Sequence, residues 1–146
     1  MNRIEELRAR RNELAQSIHT ANTTLVTGPP CSGKTTYVHT HSTPGDVVID
    51  YDALAVALGS PDTHRHPDHI RAVTTDVWAA AIAAAHRHAP NLWLIRTFPT
   101  ATDRATANTV ITLDVAATEC KRRAHNAGRP EGWNHLIDTW WSQHEG

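Results

Sequence analysis

Several features that would place a protein quickly are scarce in this sequence. There are two cysteines in 146 residues. Cys31 falls in a glycine-bearing loop and Cys120 in an expected helix, so a structural disulfide is not expected, and the usage is that of a reducing, cytoplasmic compartment. No run approaches the roughly 18 consecutive apolar residues that a membrane span needs, so no membrane partner is expected. The opening stretch MNRIEELRARRNELAQSIHT is charged throughout and has no apolar centre, which speaks against a signal peptide. Net charge is −1 with histidine neutral, so no long-range field marks a general nucleic-acid binder. A small local basic patch remains compatible with that balance, and the 11 histidines raise the charge at mildly acidic pH. Lysine is confined to Lys34 and Lys121 while arginine and alanine abound, a bias of a GC-rich coding genome more than of function. There is no internal repeat and no low-complexity tail. Residues 1–146 are expected to form one domain with a single buried core.

The apolar pattern alternates between two periods. Ile4, Leu7, Leu14 and Ile18 place a stripe on an N-terminal helix over about residues 2–19, imperfect at Arg11. That helix either docks on the domain edge or serves as a short dimerising helix. TTLVTG (23–28), DVVID (46–50), NLWLIRT (91–97) and NTVITLD (108–114) read as strands. Helices are expected from about Gly33 to the Pro44-Gly45 break, over 51–59, from Ile70 to His88, in VAATECKRRAHNA, and from Trp133 to His144. Segments 60–68 and 98–107 read as polar loops. Near-continuous apolar strands alternating with helices indicate an α/β fold with a parallel sheet covered on both faces.

Strand, then Gly28-Pro-Pro-Cys-Ser-Gly33-Lys34-Thr35, then helix is the context in which a glycine-rich loop cradles phosphates. Glycines let successive backbone N–H groups curl toward phosphate oxygens, and the helix N-terminus adds partial positive charge. Nucleotide binding is expected at Gly28, Pro29, Pro30, Cys31, Ser32, Gly33, Lys34, Thr35 and Thr36, with Lys34 on the β and γ phosphates and the Thr35 hydroxyl on Mg²⁺. Cys31 and Ser32 occupy variable positions and read as filler, with a thiol-sensitive loop as the corollary of Cys31. After the second strand, Asp50 and Asp52 sit two apart at the carboxyl edge of the sheet, where open α/β sheets bind ligands. Two such acids can hold Mg²⁺ and accept a hydroxyl proton, or cap and solvate the next helix.

Together these motifs resemble the small P-loop kinases, among them the shikimate and gluconate kinases and the kinase domain of phage-type polynucleotide kinases. The resemblance runs over about residues 22–144 and is most specific in the loop. It implies a three-layer P-loop NTPase-type fold with a parallel sheet of about four to five strands, an N-terminal helix (1–20), and a C-terminal lid (118–132) followed by a helix. It implies ATP and Mg²⁺ as cofactors, with Asp50 as the metal-side acid and Asp52 as the base, two roles that spacing alone leaves exchangeable. LWLIRTFPTATDRA is similar to the polynucleotide-kinase segment carrying a Pro-Thr-x-x-Arg turn, which implies substrate binding by Arg96 and Arg104. Many P-loop enzymes place an aspartate where this chain has Arg96-Thr97, so metal handling falls to Thr35 and the two acids. In the lid, Arg122, Arg123 and Arg129 are candidates to cover the γ-phosphate, unless Glu119 pairs with Arg122 or Arg123 along the helix.

The implied activity is transfer of the ATP γ-phosphate to a hydroxyl on a nucleic-acid end, a modified base or a nucleotide. A small-metabolite kinase and a non-kinase NTP-binding regulatory module are the alternatives. HRHPDH (64–69) invites a metal reading but reads better as a polar loop facing substrate. His86 and His88 suit a helix C-terminus. Trp133, Trp140 and Trp141 are expected to pack the last helix, with one of the adjacent Trp140 and Trp141 left outward.

Overall fold

All four expected strands form, and each pairs in parallel with its neighbour. The computed structural model describes residues 2–18 and 21–144, of which 12–18 are described as helix backbone. Strands β1 (Asn22–Thr27), β2 (Val47–Asp50), β3 (Asn91–Ile95) and β4 (Thr109–Thr112) lie in the order β2-β3-β1-β4. Seven helices accompany them among the described residues: α1 (Arg3–Ile18), α2 (Lys34–His41), α3 (Tyr51–Ala57), α4 (Asp68–His88), α5 (Ala101–Thr106), α6 (Ala117–Asn126) and α7 (Gly132–His144). The architecture is α/β, compatible with the P-loop-like fold that the resemblance implies.

Register explains where a site can form. Val26 of β1 pairs with Ile95 of β3, and Asp50 of β2 pairs with the same Ile95. The three strands therefore end level, and their continuations, the 28–33 loop, Tyr51-Asp52 and Arg96-Thr97, emerge at one edge. Side chains alternate across this sheet. Leu25, Leu92 and Leu94 are fully buried against Trp78 and Ala85 of α4, while Val26 and Ile95 pack with Val38 of α2. Helices thus cover both faces, and the apolar strands are what a sheet buried on two sides requires.

The stretch 98–107 differs from expectation. It contains α5, started by a reciprocal cap in which Asp103 N donates to Thr100 Oγ1 (3.1 Å) and Thr100 N donates to Asp103 Oδ2 (2.8 Å). Thr-x-x-Asp carries that signal in the sequence, but a one-and-a-half-turn helix has no apolar period to draw attention to it. In the N-terminal helix, Ile4 and Leu7 are exposed, so that half of the apolar stripe does not face the core. Leu14 and Ile18 lie outside the residues whose side chains are described.

Asp103 also joins three elements. Its carboxylate accepts from Trp78 Nε1 (2.9 Å) and from Arg96 Nη1 (2.8 Å), and the Arg96 guanidinium lies 4.1 Å from the centre of the Tyr51 ring. Both ends of the pair are nearly buried, at 12% and 6% exposure. Removing one member of such a pair leaves the other charge without compensation. We expect Asp103→Ala to lose about 3–5 kcal/mol in denaturant unfolding with an unchanged slope. A loss under about 1 kcal/mol would mean that Arg96 does not depend on this carboxylate.

Candidate active site

The turn from β1 into α2 is shaped by backbone demands. Gly33 has φ 91° and Cys31, unusually for a side-chain-bearing residue, φ 65°. At Gly28 the constraint is space: a Cβ there would lie 2.5 Å from Ser32 Oγ and 2.7 Å from the Leu113 carbonyl oxygen. Pro29 and Pro30 are fully buried beneath the turn. Gly28→Ala should therefore destabilise the fold by about 1–3 kcal/mol through overpacking, read as a lower melting temperature. An unchanged melting temperature would show that the turn yields freely.

Lys34, the first residue of α2, is 6% exposed and folds back to donate from Nζ to the carbonyls of Gly28 and Pro29, each at 2.9 Å. Burial pushes its pKa down to about 8 against the upward pull of Asp52 and Asp50. Ser32 departs from its reading as filler: its Oγ is buried and has no hydrogen-bond partner among the described residues. Burial pushes the Cys31 thiol up, outweighing Arg129, Lys34 and Arg123, so no lowered pKa underlies the expected thiol sensitivity.

Asp50 caps the next helix and keeps its second oxygen beside a hydroxyl. Oδ1 caps α3 by accepting from Asp52 N (3.1 Å) and Ala53 N (3.2 Å), while Oδ2 lies 3.4 Å from Thr35 Oγ1. One carboxylate oxygen and one hydroxyl, hard ligands of the kind that a divalent cation takes, thus stand side by side.

Asp52 is held very differently. His64 Nδ1 lies 2.9 Å from its Oδ2, His66 Nε2 lies 2.7 Å from its Oδ1, and Thr97 Oγ1 donates to Oδ2 at 3.3 Å. Burial alone would raise the carboxyl pKa. The two imidazoles outweigh it and hold the group far below the usual carboxylate range. His66 is anchored in turn by Ser60 Oγ (2.6 Å), and Trp133 Nε1 donates to Asp62, whose Oδ1 also receives the backbone N–H groups of His64 and Arg65. The histidine segment therefore hangs between α3 and the start of α7. Asp62, Ser60 and Trp133 fix it at three points.

Asp52 and His64 stand on the wall between two cavities. One, of about 600 Å³, is bounded by Gly33, Lys34, Thr35, Asp50, Arg123 and Arg129. The other, of about 820 Å³, lies toward Tyr51, Arg65, Arg71, Arg96 and Phe98. Asp52 and His64 line both.

The remaining expected residues divide. Arg123 lines the smaller cavity, where its Nη1 donates to the Cys31 carbonyl (3.1 Å), and Arg129 lines it with its guanidinium 5.0 Å from the Trp133 ring centre. Arg122 is spent on Glu119, which it engages through Nε (2.8 Å) and Nη2 (2.6 Å), and it lines neither cavity. Glu119 also takes Arg123 Nε (3.0 Å), so the helix pairing reaches both arginines. Arg96 forms part of the larger cavity's wall while bound to Asp103, whereas Arg104 is exposed on α5 and lines neither cavity. Trp133, expected as core packing, is buried but also lines the smaller cavity and stands nearly perpendicular to the His64 ring, their centres 4.6 Å apart. Trp140 is buried with Nε1 on the Thr97 carbonyl, and Trp141 is half-buried, as their adjacency requires.

His64 and His66 were legible only as polar loop residues. The His-x-His spacing was visible, but nothing in it says that the loop folds back onto Asp52. No group of three or more metal-ligating side chains occurs among the described residues, and His69 is exposed on α4. No described helix is long and apolar enough to cross a membrane.

No family model matches the chain, and no curated protein matches it. Among solved structures, one chain of the "Structure of Pnkp1/Rnl/Hen1 complex" superposes with a TM-score of 0.61 over 73% of this chain at 16% identity. The present chain spans 40% of the length of that one. At this identity the likeness is one of fold.

Proposed function

We propose that the chain is an ATP- and Mg²⁺-dependent phosphotransferase that passes the γ-phosphate to a hydroxyl, with a nucleic-acid end or a nucleotide as the favoured acceptor. The observation that carries the reading is the shared wall: an ionised carboxylate and an imidazole between a loop-bounded cavity and a second, larger one. A hydrolase needs no second cavity beyond its reacting phosphate. A transferase does.

The residues present fit a bound triphosphate. Ser32 Oγ is buried without a partner among the described residues, and a buried ammonium waits beside the loop. In this reading the backbone of residues 28–36 holds the phosphates, and Lys34 exchanges two loop carbonyls for phosphate oxygens. Thr35 and Asp50 hold the metal, whose contribution when bound is to neutralise charge on the β and γ phosphate oxygens. Arg123 and Arg129 cover the transferring group from the 118–132 segment, and Arg122 does not. Asp52 anchors the proton-accepting end of the site in this reading, and the cap and metal side fall to Asp50, which its contacts with Asp52 N, Ala53 N and Thr35 Oγ1 support.

The acceptor occupies the larger cavity. Arginines at 65 and 71 with the ring of Phe98 are a surface for phosphate and base rather than for an uncharged polyol. The test is to incubate the chain with ATP and Mg²⁺ against 5′-hydroxyl DNA and RNA, modified DNA, nucleosides and a metabolite panel, and to read each acceptor by mass spectrometry. One acceptor class gaining a single phosphate is the expected result. No phosphorylated acceptor in any class would overturn the reading.

A further inference from the structure

We infer that the group accepting the hydroxyl proton is His64 Nε2, with Asp52 orienting the ring and balancing the charge it acquires; this rests on the phosphotransferase reading of the site. The Asp52 carboxylate is a poor proton acceptor as it stands. Its oxygens already take His64 Nδ1 (2.9 Å), His66 Nε2 (2.7 Å) and Thr97 Oγ1 (3.3 Å). A carboxylate so engaged has little room for an incoming hydroxyl.

His64 has what Asp52 lacks. A ring nitrogen this close to an ionised carboxylate carries the hydrogen, so in the neutral ring the lone pair is on Nε2. The ring lines the loop cavity and the acceptor cavity alike, and the nearly perpendicular Trp133 ring, centred 4.6 Å away, limits its rotation. His66 cannot take the same role: its Nε2 is on Asp52 and its Nδ1 is on Ser60 Oγ (2.6 Å), which leaves no nitrogen for a substrate. The two histidines that clamp Asp52 are thus not equivalent. His66 is a positioning residue and His64 is a catalytic one.

The step balances as follows. The acceptor oxygen forms its bond to the γ-phosphorus as the bond from that phosphorus to the β–γ bridging oxygen breaks, and the bonding pair leaves with the nucleoside diphosphate. His64 Nε2 takes the hydroxyl proton. The resulting imidazolium keeps Nδ1–H on Asp52, so the pair goes from net −1 to neutral beside Lys34, Arg123 and Arg129.

Two readouts test this, the first independent of turnover. In ¹⁵N-histidine-labelled full-length chain without ligand, long-range ¹H–¹⁵N correlations report the tautomer of each ring, and the His64 signals are those lost in His64→Gln. The expected pattern is Nδ1 protonated and Nε2 bare. An Nε2–H tautomer, or a doubly protonated ring at the assay pH, would overturn the assignment. In the second, His64→Gln should lower kcat by about 10²–10⁴-fold with KM for ATP little changed. His64→Ala should regain part of its rate with added imidazole. Retention of the melting-temperature rise given by Mg·ATP shows that the variants fold. Wild-type rates in His64→Gln would sink the base assignment while leaving the phosphotransferase reading standing. Absence of transfer by the wild-type chain to every acceptor would sink both, whatever the tautomer.

Discussion

Asp52→Asn is expected to bind nucleotide as the wild-type chain does and to transfer phosphate about 10³–10⁴-fold more slowly, the scale seen when the acid of an acid–imidazole pair is made neutral. The side chain keeps its size and its place between the cavities, so folding and the loop are little disturbed. Its chemistry changes in two ways. An amide offers one oxygen where two now accept from His64 and His66, so one imidazole meets an N–H₂ group instead. The negative charge that would stabilise an imidazolium is also gone. Single-turnover transfer and calorimetric binding of Mg·ATP separate the two effects. Equal loss of binding and transfer would place Asp52 among the nucleotide ligands, and normal transfer would remove it from the mechanism.

The second large effect belongs to Lys34. Lys34→Met fills nearly the same volume without charge. The variant should lose nucleotide affinity by about 10²–10³-fold, the loss of two charge-assisted contacts of about 1.5–3 kcal/mol each, partly offset by easier burial. Stability should move with pH in a way that identifies the cause. The folded chain holds this proton with a pKa of about 8 against the ordinary lysine value of 10.5, because burial disfavours the ammonium more than Asp52 and Asp50 favour it. Between those values the unfolded chain binds more protons, so wild-type stability rises with pH across the window, by about 3 kcal/mol at most. Below the window the buried charge is a standing cost. Lys34→Met lacks the group, so the rise should be absent from it. Parallel stability curves from pH 8 to 10.5 in the two proteins would mean that Lys34 is not buried in the ligand-free state.

Legibility in the sequence followed the range of the interaction. The central strands were readable because burial on both faces demands unbroken β-branched and apolar runs such as TTLVT and LWLI. The edge strand VVID keeps the apolar run although Val48 is exposed. The loop was readable because its glycines answer local backbone and space requirements, φ 91° at Gly33 and a blocked Cβ at Gly28. Asp50 and Asp52 were readable as a pair at the sheet edge, but their division of labour was not. It depends on which partners arrive from residues 60–66, 97 and 133, and no local pattern encodes those meetings. The same limit applies to the arginines. Arg122 and Arg123 are sequence neighbours, yet their 100° separation on α6 sends one to Glu119 and the other also to the Cys31 carbonyl. Arg104 matched a motif by spacing, but α5 turns it away from both cavities. Ser32 was legible only by its place in the loop, at a variable position where its identity read as filler. Its significance lies in a buried hydroxyl that finds no partner among the described residues.

The most direct test of phosphate transfer across the Asp52–His64 wall is to follow the label of γ-labelled ATP in the presence of Mg²⁺ and a 5′-hydroxyl oligonucleotide. The account predicts that label accumulates on the oligonucleotide in step with ADP, and that accumulation disappears in Lys34→Met and Asp52→Asn. Label found wholly in inorganic phosphate, or left on ATP, would contradict it and make the chain a nucleotide hydrolase or an inert binder.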